Sequence, residues 1–343
     1  MGATLHDVAR AAGVSIKTVS NVVHDYPHVR PQTRERVLNA IRELDYRPNL
    51  SARGLRSGRT GVIGLAVPAL RENYFAELAD AVIRAAERRG LSVLIEQTNG
   101  EREKELLSLG GGRLHLTDGL LFSPVRLGQR DVEALEVPIP LVLLGERIFG
   151  GPTDHVTMHN TSSARAAVEH LLELGRTRIA LVGASSFPDD DTSSATLRQL
   201  GYRRALDAAG IPEAPELIRV AEPWNRESGA DAVRRMLDEG VSFDAVFALN
   251  DTLGLGVLRA LGEAGIRVPE EVAVIGFDNI DESRFSVPSL SSVDPGREEI
   301  AENAVSLLLE RIGEKGERRP PRQIKPDFRI VARESTRADV PEA

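Results

Sequence analysis

The stretch TLHDVARAAGVSIKTVSNVV, Thr4 to Val23, decides how the start of the chain folds. Thr4 followed by an acid three residues on, Asp7, is a variant of the capping box that opens a helix. Leu5, Val8, Ala9 and Ala12 then recur at helical spacing, so one face of that helix is apolar. Gly13 breaks the run, and Ser15 is placed to cap a second helix whose buried stripe is Val19, Val22 and Val23. Two short helices joined by a turn of about three or four residues containing Gly form a helix-turn-helix.

Removing the buried stripe from the second helix leaves Ile16, Lys17, Thr18, Ser20 and Asn21 on its outer side. In a helix-turn-helix, the N-terminal end of this helix meets base edges in the major groove. Asn can pair bidentately with adenine, Lys can donate to guanine, and Ile can lie against a thymine methyl. Serine and threonine hydroxyls near a helix start suit phosphates. A third helix starts at Pro31 and should turn Val37, Ile41 and Leu44 inward. A three-helix protein-interaction module shares this pattern and is the alternative that the head alone leaves open. Residues 1–60 hold ten Lys/Arg and five Asp/Glu, a net +5 in a chain of −8, which leaves −13 for the rest. A basic head on an acidic body is suited to a polyanion such as nucleic acid.

The next stretch, PNLSARGLRSGRTG (Pro48 to Gly61), sets Leu50 and Leu55 among three arginines, with no apolar neighbours to form a core. A helix this short is marginal in water, and Gly54 costs it up to about 1 kcal/mol relative to Ala.

From Gly61 onward, short apolar runs alternate with amphipathic helices: GVIGLAVP, LSVLIEQ, GLLFS and IPLVLLG form one series. TRIALVG, FDAVFAL and VAVIGFD form a second. Continuous apolar strands separated by helices imply parallel sheets covered on both faces, hence two doubly wound lobes. Such sheets bind ligands at the carboxyl ends of their strands. The polar and aromatic residues falling there are Tyr74 after the first strand, Ser123 after GLLF, Glu146 and Arg147 after VLLG, Asn250 and Asp251 after VFAL, and Asp278 after VIGF. Arg198 and Trp224, the single tryptophan, lie on the rim. Carboxylate and guanidinium groups bind hydroxyls through charge-assisted hydrogen bonds, and a ring covers the apolar face of a sugar. Asn250 or Asp251 could equally cap the helix that follows.

Several function classes are disfavoured. Cysteine is absent, which removes disulfide scaffolds, thiol nucleophiles and cysteine-ligated zinc. The seven histidines show no metal-ligand spacing, and LGLGVLRALG matches neither a dinucleotide nor a P-loop fingerprint. No cofactor or metal is expected. Neither a basic start with an apolar h-region nor an apolar run of about 18 residues occurs, so the expected location is the cytoplasm, away from membranes.

The order of parts resembles LacI/GalR-family transcription regulators. The resemblance rests on Thr4 to Leu65, then YFAELADAV, LRQLGYRRAL, ALNDTLGLGVLRAL and VAVIGFDNIDESRFSVPSLSSVD, and so covers nearly the whole chain. It implies an all-α helix-turn-helix head over residues 1–48, a hinge over 49–60, and an α/β effector-binding and dimerisation domain over 61–343. The first lobe of that domain would take about 61–159 and 292–322, and the second about 160–291 and 323–340. It further implies base reading by Ile16, Lys17 and Asn21, and phosphate contacts at Thr4, Ser15, Thr18 and Tyr46. A hinge helix would form on DNA, with Ala52, Leu55 and Arg56 at the minor groove. Arg198, Asn250 and Asp278 would anchor the effector, with Trp224 as an aromatic wall and Tyr74, Phe75 and Ser123 as weaker matches. Gly145-Glu146-Arg147 departs from the Asp-containing strand end that the family more often has. The function so implied is a homodimeric, sugar-responsive repressor of a palindromic operator in double-stranded DNA. The competing readings are a solute-binding protein of a sugar transporter and a sugar-modifying enzyme.

Overall fold

The computed structural model describes residues 3–23, 26–46, 59–186, 192–316 and 318–337. The chain divides into two compact units at Gly61/Val62.

The head consists of α1 (Leu5–Ala12), α2 (Ile16–Val23) and α3 (Pro31–Glu43). The capping box at Thr4 is complete: Asp7 N–H donates to the Thr4 hydroxyl, and Thr4 N–H donates to the Asp7 carboxylate. Gly13 ends α1 at φ +62°, a left-handed conformation that glycine adopts without strain, and turns the chain into α2. Val8, Val19 and Val37, one from each helix, are fully buried together. Leu44, expected inside, is 37% exposed because α3 has already ended; Tyr46 takes the core place instead. Arg30 precedes α3 without any side-chain cap.

The second unit contains two six-stranded sheets. In the first lobe β1 (Val62–Val67), β2 (Ser92–Gln97), β3 (Leu120–Phe122), β4 (Leu141–Leu144) and β5 (Asp154–Val156) pair in parallel in the order β2-β1-β3-β4-β5. Helices α4 (Asn73–Glu87) and α5 (Arg102–Gly110) belong to this series. The second lobe alternates α6 (Asn160–Glu173), β6 (Ile179–Ala184), α7 (Ser194–Ala208), β7 (Ile218–Val220), α8 (Arg226–Asp238), β8 (Ala245–Ala248), α9 (Asp251–Glu263), β9 (Ala273–Phe277) and β10 (Ser291–Asp294). Its strands pair as β7-β6-β8-β9-β10. The central strands β1, β3, β4, β6, β8 and β9 are buried almost throughout, as expected for sheets sandwiched between helices.

Helix α10 (Arg297–Gly313) returns to the first lobe and packs on α4. Two short strands finish both sheets: β11 (Gln323–Ile324) joins β5, and β12 (Arg329–Val331) pairs antiparallel with β10. The chain therefore passes between lobes at residues 157–159, 295–296 and 325–328. The last two passages lie a few residues later than the sequence expectation. SSVD continues as a strand beside β9, and Pro295-Gly296 supplies the exit turn, with Gly296 at φ +74°.

Candidate nucleic-acid interface and effector cleft

In the head, Ser15 caps α2: its hydroxyl accepts Thr18 N–H at 3.2 Å and lies 2.9 Å from the Thr18 hydroxyl. Lys17 is exposed, and Thr18, Ser20 and Asn21 are half-buried. Ile16, expected wholly outside, is half-buried against the head core. The first two turns of α2 thus offer an exposed cation, an amide and an apolar shoulder on a helix anchored in the core by Val19 and Val22. Thr4 is exposed at the start of α1. Tyr46 is 8% exposed and belongs to the core, so only the edge of its ring can face a phosphate. Ala52, Leu55 and Arg56 lie outside the described residues.

In the second unit the strand-end residues of both lobes meet. A sheet of order 2-1-3-4-5 opens a crevice where neighbouring connections part to opposite faces, beside the first strand of each series. Arg198, on α7 and only 3% exposed, is the centre of this crevice. Its Nε donates to Asn160 Oδ1 at 2.9 Å, and its Nη1 donates to the Leu249 carbonyl. Nη2 lies 3.6 Å from Asp278 Oδ1. The guanidinium stacks 3.5 Å above the centre of the Phe277 ring, and the Trp224 ring centroid is 5.7 Å away. Trp224 donates its indole N–H to the Gly183 carbonyl at 3.0 Å, which leaves its ring face as the part a ligand could meet.

Asp278 follows β9 with φ +107°, and Asn279 follows with φ +50°. Such angles are costly for residues with a Cβ and persist where surrounding bonds hold them. Here Asp278 N–H donates to the Val293 carbonyl at 2.9 Å, Asn279 N–H to the Ser292 hydroxyl at 2.9 Å, and Arg333 to Asn279 Oδ1 at 2.6 Å. Burial pushes the Asp278 carboxyl up to about 8, against the pull of Arg198 and with a further push from Asp251. Asp251, fully buried, is itself raised to about 7 by burial, although it accepts from Ser292, Ser283 and Ile280 N–H. It braces the turn beneath Asp278. Asn250 caps α9, with its Oδ1 accepting Leu253 N–H at 2.8 Å; the N–H groups of its amide are what it can offer to a ligand.

From the first lobe come Tyr74, whose hydroxyl burial and the nearby Asp278 hold above the usual phenol range, and buried Ser123 after β3. Phe75 meets Tyr74 edge-on at 5.2 Å and packs on the first-lobe core, a supporting position behind Tyr74. The structure thus gathers Arg198, Asp278, Trp224 and Tyr74 at one place.

Sequence reasoning missed Asn160, Glu77, Arg297 and Phe277. Arg297 Nη1 donates to the Asp278 carbonyl at 2.9 Å, and its Nη2 pairs with Glu77 at 2.5 Å; Glu77 also accepts Asp281 N–H from the second lobe. Asn160, Glu77 and Arg297 sit inside helices or at their starts, where no strand-end rule points, and Phe277 is the apolar last residue of β9, where the rule looks for polar groups. Glu146 was placed at a strand end but given no role; it reaches across to Asn160 and Ser194. Among the described residues no group of three His, Asp or Glu could hold a metal ion, and no helix is long and apolar enough to cross a membrane.

Residues 4–49 match the family model for bacterial regulatory proteins, lacI family, and residues 168–336 match that for a periplasmic binding protein-like domain. Over 81% of its length the chain resembles a LacI-family regulator from Sanguibacter keddieii DSM 10542, at 52% identity, TM-score 0.75 and 99% coverage of that chain. The transcriptional regulator CelR in complex with cellobiose is 31% identical, with TM-score 0.70, 97% of this chain covered and 99% of that one. The chain belongs to the LacI family. As a LacI-family protein it is a DNA-binding transcriptional regulator, not an enzyme. The Lac repressor dimer bound to operator and the anti-inducer ONPF is also similar, at 28% identity and TM-score 0.80, with 98% of this chain and 99% of that one covered.

Proposed function

We propose that this LacI-family regulator is a cytoplasmic homodimeric repressor whose two heads bind half-sites of a palindromic operator, and that a sugar in the interlobe cleft alters its hold on DNA. Ile16, Lys17 and Asn21 read bases in the major groove. Thr4, Ser15, Thr18 and the edge of Tyr46 meet phosphates. Ala52, Leu55 and Arg56 enter the minor groove, where Leu55 wedges between base pairs. In the cleft, Arg198, Asp278 and the Asn250 amide bind hydroxyls, Trp224 covers a ring face, and Tyr74, Phe75 and Ser123 complete the opposite wall. The observation that carries this reading is Arg198: buried, stacked on Phe277 and directed at Asp278, it sits among the second-lobe strand ends close to Tyr74 of the first lobe. The similar proteins crystallised with cellobiose and, as a dimer, with operator support both halves of it.

A ligand shifts DNA affinity only through its differential affinity for two states, typically by about 1–3 kcal/mol. Mobility shifts of purified protein on operators selected from random DNA, with and without sugars, test the reading. Preference for palindromic sites, weakened by one sugar, is the expected result. Indifference between palindromic and random DNA at moderate salt would sink it.

A further inference from the structure

The cleft contains a carboxylate that the effector reading leaves unused. Gly145 turns the chain after β4 at φ +92°, and Glu146, only 8% exposed, then reaches out of the first lobe. Its Oε1 accepts the Ser194 hydroxyl and its Oε2 accepts the Asn160 amide at 3.3 Å. Ser194 is the first residue of α7 and Asn160 the first of α6, both in the second lobe. The next residue reinforces the crossing, since the Arg147 carbonyl accepts the Thr192 hydroxyl at 3.1 Å. Helix starts are electropositive and are where proteins commonly hold phosphates and carboxylates. Here the first residues of two helices converge on a carboxylate that the protein supplies itself, through a side-chain hydroxyl and a side-chain amide.

The cations nearby are committed in the same way. Arg198 uses Nε on Asn160 and Nη1 on the Leu249 carbonyl, and Nη2 faces Asp278. Arg297 is neutralised by Glu77. An effector bearing a phosphate or carboxylate would have to displace Glu146 or lie against its charge, whereas a hydroxyl can donate to it. Burying like charges together is expensive, and repulsion of this kind is how sites reject wrong ligands.

We propose that Glu146 is a specificity-determining residue of the cleft: it fills the anion position at the starts of α6 and α7, so the effector is an uncharged polyol, and phosphorylated or acidic sugars are turned away. The proposal rests on the cleft being the effector site.

Calorimetric titration of full-length wild type, Glu146→Ala and Glu146→Gln with glucose 6-phosphate and inorganic phosphate, beside glucose, ribose and cellobiose, provides the test. Any binding of anions by the basic head is common to all three proteins and cancels in the comparison. Wild type should bind glucose 6-phosphate no better than glucose. Glu146→Ala should bind glucose 6-phosphate about tenfold tighter than wild type, and Glu146→Gln, which keeps the volume and hydrogen-bonding capacity, should gain in the same direction. Tighter binding of glucose 6-phosphate than of every uncharged sugar by wild type would overturn the proposal, and that arm needs no variant to fold. Equal anion binding by all three proteins would overturn it as well. If no uncharged sugar binds but the variants gain the anion, the assignment of Glu146 stands and the sugar reading of the cleft is what fails.

Discussion

Asp278 combines a strained backbone with a carboxyl group pushed up to about 8 by burial. Its ordinary value is 3.8, so between about pH 4 and 8 the folded protein holds a proton that the unfolded chain has lost. The stabilisation from that proton is fully present below about pH 4 and is lost as pH rises through 8. The stability difference between wild type and Asp278→Asn should therefore move against wild type across this window, by up to about 1.4 kcal/mol per pH unit. Urea unfolding at a series of pH values measures it; a pH-independent difference would mean that the carboxyl is ionised throughout. In the head, Lys17→Ala should relax operator choice, because the exposed cation is read here as a guanine contact. Selection of bound sites compares the proteins, and a uniform loss on all DNA would make Lys17 a phosphate contact instead. Asp278 and the position of Glu146 were legible in the sequence because strand ends of doubly wound sheets have a general use, whereas Arg198, inside α7, was indicated by the family resemblance. Asn160 and the role of Glu146 were not, since their meaning comes from a partner in the other lobe.

At the scale of elements, helix pairs in the second lobe touch through glycine. A Cβ on Gly256 of α9 would collide with the Arg226 carbonyl of α8, and one on Gly229 of α8 would collide with the Leu253 carbonyl of α9. Backbone cannot yield as a flexible side chain can. Gly256→Ala should therefore destabilise the protein by about 1–3 kcal/mol despite the better helix propensity of alanine, as a lowered urea midpoint would report. LGLGVLRALG, unsuited to phosphate binding by pattern, owes at least Gly254 and Gly256 to packing: a Cβ on Gly254 would press on Leu290. In the head, Thr4→Ala removes the two hydrogen bonds of the Thr4 hydroxyl while keeping that of its backbone N–H to Asp7, and should cost about 1 kcal/mol, seen as faster hydrogen exchange in α1. That box could be read from four letters, being a local interaction. Leu44 was misread because helical periodicity was carried one residue past the end of α3, where the backbone had already changed direction.

For the molecule as a whole, the two binding functions should respond differently to salt. Operator binding through residues 1–60, of net charge +5, releases counterions and should fall steeply as salt is raised. Sugar binding in a cleft whose cations are already engaged should change little, and mobility shifts and calorimetry over one salt series compare the two. Trp224, the single tryptophan, should report the sugar by fluorescence; a sugar that binds without changing it would place the ring outside the site. The division into a basic head and an alternating body was legible from charge and periodicity alone. The return of α10 to the first lobe was indicated by the family resemblance instead, because nothing in its amphipathic pattern says which sheet it covers.

The three passages between lobes have a consequence for synthesis. β11 closes the edge of the first sheet and β12 that of the second, yet they are the last strands in chain order, only five residues apart. A nascent chain can complete neither lobe until both have left the ribosome, although the head, which depends on none of them for its core, is made first. Translation thus produces a DNA-seeking module well before the part that can answer to a ligand.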